Sequence, residues 1–560
     1  MKYFFIFFSL ISINIYAQVS VSVDSVFFNT VIKGETDSIS FYLKNVSGET
    51  LELSLKNFNY VYTISDSTVT IPSFDSSLIT IKFQPQQNVT ERDLIEIKND
   101  IGSAGLYLRV SGHGLFGDSY DATTFNLYDT QLKSALTTLV SGHTSLGYNL
   151  ARDKMFMDID NKKVNGQGAP VNTLECVYTG REAIGYTDRT NAQNNYNFNT
   201  EHTWPQSNFS ENEPMRSDLF HLFPTDANAN NIRANYPFGN VVSAITWDSA
   251  GSKLGRNSLN QIVFEPRDVH KGDVSRSMFY FIIRYPQNYG GFFTLVQENV
   301  FREWNILDDV GAIESARNSA IASFQMKRNP FIDHPEFAER IYSFVSNNIR
   351  PVTSELLGLP LSINYDSVSV GDSASGFFYA ANKGSGILLI DSVSVAGSCF
   401  SVQTQTFSIA PNSVFIYQLL FKPDSAISYS GSATFYSVSG NVIVNLSGEG
   451  KQNAVSVDDV SIEVKNFKLE QNFPNPFNPS TRIKYSVPSD FNGQTLKVKL
   501  VIYNILGMEV ATLVNENKAA GEYEILFDSA SFGGGLPSGV YMYKLEAGSG
   551  VETKKMILIK

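Results

Sequence analysis

Two stretches of this chain end alike. SLITIKFQP (residues 77–85) is followed by LYLRVSGHG (106–114), and FIYQLLFKP (415–423) is followed by VIVNLSGEG (442–450). The same strand endings in the same order mark a divergent internal duplication. Both copies consist of short alternating apolar runs broken by Gly, Pro, Asn and Asp. DSISFYLKN and LELSLKN belong to the first, GILLIDSVSV and SGSATFYSV to the second. Period-two alternation with such breaks predicts strands. A duplicated all-β unit therefore brackets the middle of the chain.

Composition divides the chain at the same places. Its 560 residues suggest about three to five domains. Hydrophobic residues make up 42% and charged residues 18%, a globular balance. All three tryptophans (Trp204, Trp247 and Trp304) lie in the bracketed part. Residues 351–450 contain no arginine and residues 451–560 contain only Arg482. The formal net charge of −12 disfavours a polyanionic partner, so any chemistry on nucleic acid needs positive charge gathered locally. Residues 1–17, MKYFFIFFSLISINIYA, pair one lysine with an apolar run and a small residue, the pattern of a secretory signal peptide cut after Ala17. That run is short for a membrane span, and no other stretch qualifies as one. Only Cys176 and Cys399 are present, too few for a disulfide framework.

Within residues 117–350 the chemistry is concentrated in NTEHTWPQSNFSENEPMRSDLFHLFPTDANANNIRANY, residues 199–236. Glu201-His202 stands where a strand gives way to a loop, because Trp204 has a large ring to bury and Pro205 stops regular structure. From Ser217 the run reads as a helix with Ser217 as cap and Leu219, Leu222 and Phe223 at helical spacing, interrupted at Pro224. Asp226 to Asn231 then offers capping and liganding side chains ahead of Arg233 and Asn235. The pattern is strand end, loop, short helix. Further helices are expected near 125–140 and over 271–285, 292–304, 313–326 and 336–345, with a strand at 174–178 that buries Cys176. Taken singly, Glu201-His202 reads as a solvated carboxylate beside a surface or core histidine, and Asn230 as a turn residue.

Taken together, these residues resemble the endonuclease I family of secreted, nonspecific nucleases with a ββα-metal active site. The correspondence runs through Glu201, His202, Trp204 and Pro205, then Asp218, Leu222 and Pro224, then Asn230, Arg233, Asn235 and Tyr236. A second block, FEPRDVHKGDVSR (264–276), and a third, KRNPFIDHPE (327–336), match as well. The resemblance implies phosphodiester hydrolysis and a role for each residue. Glu201 and Asn230 are the implied metal ligands, for Mg²⁺ or alternatively Mn²⁺ or Ca²⁺, hard cations that take oxygen ligands. His202 is the implied general base, mostly neutral at pH 7. Arg233 is the implied grip on the scissile or a flanking phosphate. Arg216, Arg267, Lys271 and Arg276 are second-tier phosphate contacts, each with a carboxylate pair as the competing reading. Adjacent strand residues point to opposite sides, so Glu201 and His202 share a site only if the chain bends there. The sequence departs from many relatives at Phe220, where they carry histidine, and from some at Arg216, where they carry an acid. His221, His270 and His334 read as buried hydrogen-bonding residues and His113 as a loop residue.

The flanking copies, residues 18–116 and 357–451, read as immunoglobulin-like sandwiches of about seven strands and resemble choice-of-anchor or ASH/Hydin-like modules. Residues 452–467 are a polar linker. Residues 468–560 form a third β-sandwich. Through NPFNPST, YNILG, LPSGVY and a lysine-rich last strand it resembles the type A sorting domain of the type IX secretion system.

The fold class expected is thus multidomain, an α+β ββα-metal nuclease domain (117–350) flanked by all-β immunoglobulin-like sandwiches. The function expected is a secreted or cell-surface, metal-dependent endonuclease cutting DNA and RNA to leave 5′-phosphates, expected to be a monomer and to be exported by type IX secretion machinery. The alternative is a surface adhesin whose nuclease-like domain is inactive. A third reading restricts the enzyme to RNA.

Overall fold

The computed structural model describes residues 18–452 apart from 403–405, and residues 467–558 apart from 473–474, 476, 478–479, 489–494, 506, 530–535 and 549. The expected leader, most of the expected linker and part of NPFNPST lie outside the described residues. The chain forms two compact units, Met1–Gln452 and Asn453–Lys560.

In the first unit, nine strands between Val19 and Leu115 make a four-stranded and a five-stranded sheet over one core that includes Phe28, Phe41, Tyr62, Ile81 and Val110. The expectation was seven; the extra strands are short edge segments such as Val19–Val21 and Tyr62–Ile64. The second copy builds two four-stranded sheets and a two-stranded pair from Leu356 to Lys451. The duplication is structural. Ser25–Ile32 pairs parallel with Gly105–Leu115, and Ser362–Ser369 pairs parallel with Gly440–Lys451, each with one irregular step. The repeated endings face each other in both copies. A Cβ on Gly112 would lie 2.6 Å from the Phe83 ring, and one on Gly448 would lie 2.6 Å from the Phe421 ring. Gly114 abuts Pro85 and Gly450 abuts Pro423 in the same way. A buried asparagine also recurs. Asn45 Nδ2 donates to the Ile71 carbonyl, and Asn382 Nδ2 donates to that of Ile409. His113 lies in the strand Gly105–Leu115 and not in a loop, where its Nδ1 meets Thr90 Oγ1 at 2.9 Å.

The two copies pack on one another. Leu94 and Tyr107 of the first share a small core with Leu359 and Ala381 of the second. The Leu361 N–H donates to the Gly102 carbonyl at 2.7 Å. The bracketed region also packs on the first copy: Arg340 Nη1 donates to Asn88 Oδ1, and Lys33 Nζ pairs with Glu336 at 2.7 Å.

The bracketed region surrounds the helix Lys271–Arg284, which is buried at eleven of its fourteen positions and is therefore a central helix rather than a surface one. Leu295–Leu307 begins with a capping box between Thr294 and Gln297. Ala312–Gln325 follows the expected helix closely. Four expectations need correction. The strand expected at 174–178 is Thr173–Glu175, and Cys176 is buried just past its end. The helix near 125–140 is two pieces, Asp121–Thr124 and Asp129–Val140, separated at Asn126 with positive φ. The helix expected over 336–345 is one turn, Phe337–Arg340. Its continuation is displaced by tertiary bonds, since the Phe344 N–H donates to the Glu298 carboxylate at 3.1 Å. The segment from Ser217 is not a continuous helix. It is a short 3-10 turn, Leu219–His221, capped by Asp218, and then the strand Leu222–Asp226. Backbone pairing of Leu222 with His202 outweighs the local helical spacing. No described helix is long and apolar enough to cross a membrane.

Among its described residues the second unit has a three-stranded and a four-stranded sheet around a core that includes Ile483, Leu500, Tyr543 and Met556.

Candidate active site

The strand Phe198–His202 pairs antiparallel with Leu222–Asp226, placing Glu201 opposite Phe223 and His202 opposite Leu222. The helix Ala227–Arg233 follows at once. Asp226 ends the strand and caps the helix, its Oδ1 accepting from the Asn228 and Ala229 N–H groups at 2.8 and 3.2 Å. The result is a two-stranded ribbon leading straight into a short helix, with Glu201 and His202 at the ribbon end joined by residues 203–221 and Asn230 and Arg233 on the helix. Trp204 anchors the exit. It is fully buried, stacks on Phe281 at 4.6 Å, and its indole N–H donates to the Tyr289 carbonyl.

Glu201 is buried to 2% exposure and faces Arg233, also 2% exposed, with Oε1 and Nε 3.3 Å apart. The contact is ionic without hydrogen-bond alignment, for neither atom has a hydrogen-bonded partner. Burial raises the Glu201 pKa, opposed by Arg233 and then by Tyr178. The Tyr178 hydroxyl, buried beside the same carboxylate, lacks an aligned partner too. Arg233 is otherwise held by backbone: Nη2 donates to the Thr203 carbonyl at 2.7 Å and Nη1 to that of Ala234 at 2.9 Å. Its Cζ lies 4.6 Å from the Phe238 ring centre. Arg233 therefore sits inside the site and not on its solvent face. The Asn230 side-chain amide makes no hydrogen bond to the described residues.

This donor set fits a hard divalent cation. A buried carboxylate oxygen without a donor and an unengaged amide oxygen are oxygen ligands waiting for a partner. Glu201 and Arg233 neutralise each other, so an added dication would leave the site positive towards phosphate. Among the described residues no group of three or more His, Cys, Asp or Glu could hold a metal. A cation here would keep several waters, as magnesium does.

His202 is 6% exposed, and its Nε2 lies 3.3 Å from the Arg216 carbonyl oxygen. A carbonyl can only accept, so Nε2 carries the proton and Nδ1 keeps the lone pair. Burial pushes the His202 pKa well below the usual histidine value, with the neighbouring His221 second. The His202 and His221 rings are 5.3 Å apart. His221 is fully buried and fixed through Nε2 to the Met215 carbonyl at 2.6 Å. Asp218 underpins this segment. Its Oδ2 accepts from the Tyr280 and Tyr285 hydroxyls at 3.0 and 2.9 Å. The expected histidine-as-scaffold reading fits His221, His270, which meets Asp273 Oδ2 at 2.9 Å, and His334, which meets Asp118 Oδ2 at 2.8 Å.

Of the four second-tier cations, Arg216 alone lies by His202. Its guanidinium is over Tyr148 at 4.3 Å and pairs with Glu211 at 2.8 Å. Arg152 covers the same ring at 4.2 Å, and the Tyr148 ring is 5.6 Å from that of His202. Tyr148 and Arg152 were missed in the sequence. Their i, i+4 spacing at the start of the helix Tyr148–Lys154 was the available signal. The other three meet the competing reading, a carboxylate pair. Arg276 is fully buried, with Nε and Nη2 each 2.7 Å from a Glu314 oxygen. Lys271 pairs with Glu265 at 2.7 Å and Asp268 at 2.8 Å. Arg267 bonds Glu175 and, at 2.9 Å, the Val177 carbonyl. Carboxylates of the surrounding fold claim all three. The second and third motif blocks thus hold each other, with Asn329 Nδ2 donating to the Arg276 carbonyl at 3.0 Å. A cavity of about 680 Å³ beside Arg267 is lined by more acids, among them Asp158, Asp308 and Asp309, than cations (Lys162, Arg267 and Arg317), and holds none of Glu201, His202, Asn230 or Arg233.

Residues 129–336, which include every residue of this site, match the family described as Endonuclease I, and residues 471–560 match the secretion system C-terminal sorting domain. An extracellular ribonuclease of Bacillus amyloliquefaciens is 32% identical over 229 residues, covering 38% of this chain and 74% of that protein. An extracellular ribonuclease of Bacillus subtilis (strain 168) is 31% identical over 228 residues, with the same coverage. A periplasmic deoxyribonuclease of Aeromonas hydrophila is 25% identical over 175 residues, covering 27% of this chain and 70% of that protein.

Proposed function

Because the chain belongs to the endonuclease I family and carries a C-terminal sorting domain of secreted, cell-surface proteins, we propose that it is an exported, divalent-metal-dependent endonuclease that hydrolyses DNA and RNA without strong sequence preference and leaves 5′-phosphates. The relatives named for ribonuclease and for deoxyribonuclease activity support both substrates. The observation that carries the reading is the state of His202: buried, neutral, its Nε2–H fixed on the Arg216 carbonyl and its Nδ1 free, one residue from the buried Glu201.

In this reading His202 Nδ1 takes a proton from water as the water oxygen attacks phosphorus. The P–O3′ bond then breaks and the phosphate stays on the 5′ side of the product. Glu201 and Asn230 would hold the cation. When bound, it supplies charge neutralisation at the phosphate and at the leaving oxygen. Arg233 keeps Glu201 in place and adds positive charge from the buried side. Arg152 and Arg216, spread over Tyr148, steer the backbone phosphates. They replace Arg267, Lys271 and Arg276 in that role. The paired sheets on either side are read as immunoglobulin-like spacing or binding modules, and type IX machinery as the export route.

The test is cleavage of plasmid DNA and of RNA by the full mature chain, with Mg²⁺ and with excess EDTA, for wild type, His202→Ala and Glu201→Gln. Cleavage lost in EDTA and in both variants supports the proposal. A folded chain that cuts neither substrate with Mg²⁺, Mn²⁺ or Ca²⁺ overturns it and favours a surface adhesin with an inactive nuclease-like domain.

A further inference from the structure

Beside Arg233 lies a second cavity, of about 390 Å³, within the size range of small-molecule sites. None of its lining residues is charged. Phe238 and Phe292 form part of its wall, and these are the rings nearest the Arg233 guanidinium, at 4.6 and 5.9 Å. Asn235, two residues after Arg233, lies at its edge. The cavity therefore lies against the rings that flank the Arg233 guanidinium.

One wall carries an unsatisfied donor. Gln297 is 4% exposed. Its Oε1 accepts from the Thr294 N–H at 3.1 Å as part of the capping box of the helix Leu295–Leu307. That bond fixes which end of the amide is oxygen, and Nε2, left over, has no partner. A buried N–H without an acceptor is costly, so a ligand that supplies one is favoured. Gln261 adds a second oriented amide at the rim, its Oε1 held by Asn257 Nδ2 at 3.1 Å.

A pocket with aromatic and aliphatic walls, amide donors and no charge does not suit a phosphate. It suits a flat, neutral ring with acceptors on its edge. We propose that this cavity takes one unpaired nucleobase of the strand being cut, next to the scissile phosphate, with Gln297 Nε2 donating to an acceptor on the base edge. The inference rests on the nuclease reading above and narrows it: single strands are the preferred substrate, because a paired base must first leave its stack. Base preference stays weak, since every base has a ring face to pack.

The test walks a single abasic residue along a single-stranded oligonucleotide and maps cutting by the full mature chain. The expected result is one position, fixed relative to the cut, at which loss of the base slows cleavage by about 5- to 150-fold. Gln297→Met slows cleavage of the intact strand by about 2- to 10-fold and leaves the strand abasic at that position unchanged. Cleavage indifferent to where the abasic residue sits overturns the pocket assignment while leaving the nuclease intact. So does an equal loss on both strands in Gln297→Met. No cleavage of any strand overturns the nuclease reading and the base pocket with it.

Discussion

Arg233 Nε stands 3.3 Å from Glu201 Oε1, both side chains are 2% exposed, and neither atom has a hydrogen-bonded partner. Each charge is tolerable in the interior only because of the other. Arg233→Met strands the Glu201 carboxylate and should cost about 3–5 kcal/mol. Urea unfolding of the full chain, followed by Trp204, Trp247 and Trp304 fluorescence, reads this directly, because all three tryptophans lie in the bracketed body. A change below about 1 kcal/mol would mean the pair is not held as described.

His202 offers a cleaner test of chemistry. His202→Ala should lower kcat by about 10²–10⁴-fold, the usual worth of a positioned general base. Near-ultraviolet circular dichroism should be unchanged, since the neighbouring His221 and Asp218 scaffold does not depend on the His202 ring for its hydrogen bonds. Retained kcat would remove His202 from the mechanism.

Cations near and far from the site should separate in their effects. Arg152→Ala and Arg216→Ala should each raise KM and reduce the salt slope of nucleic-acid binding by about one. Arg276→Met should leave KM alone and destabilise the fold, because its partner Glu314 is left buried and unpaired. Filter binding across a salt series distinguishes the two patterns.

Acid should weaken the body that carries the site. His143 and His221 both have pKa values lowered, first by burial and partly restored by Asp218. The unfolded chain protonates them below about pH 6.5, whereas the folded chain resists. Stability is therefore complete above that pH and falls as pH drops towards the folded values, by up to about 1.4 kcal/mol per pH unit for each residue. Denaturant midpoints between pH 5 and 8 measure it; a flat profile would contradict the burial.

The repeated glycines carry a prediction of their own. Gly112→Ala and Gly448→Ala place a methyl group 2.6 Å from a phenylalanine ring in each copy. Overpacking of this kind costs about 1–3 kcal/mol. Phe83→Leu in the first copy and Phe421→Leu in the second should recover part of the loss, seen as partial return of the thermal transition.

Glu201, His202, Asn230 and Arg233 could be grouped from the sequence as a candidate site because they are close in it, and the ribbon and helix that carry them are local. The duplication was legible because its strand endings are constrained by Phe83 against Gly112 and Phe421 against Gly448. Long-range pairing was not. The Leu219, Leu222 and Phe223 spacing favours a helix locally, yet the strand forms because His202 lies opposite Leu222. Arg276 sits in a block with as many acidic as basic residues, but the Glu314 that claims it reaches it only in the folded chain. Tyr148 and Arg152 were harder to place because about fifty residues separate them from His202, and their i, i+4 spacing marks a stacked pair without showing what it faces.

The contact of Leu94 and Tyr107 with Leu359 and Ala381 closes the chain on itself on either side of the bracketed body. Tension applied along the backbone, from the first β-copy to the second, is borne first by that contact. The body between them is shunted off the load path and hangs as a closed side loop. A protein tethered at a cell surface in flowing medium would then feel drag in its β-copies before the ribbon of Glu201 and His202 is distorted.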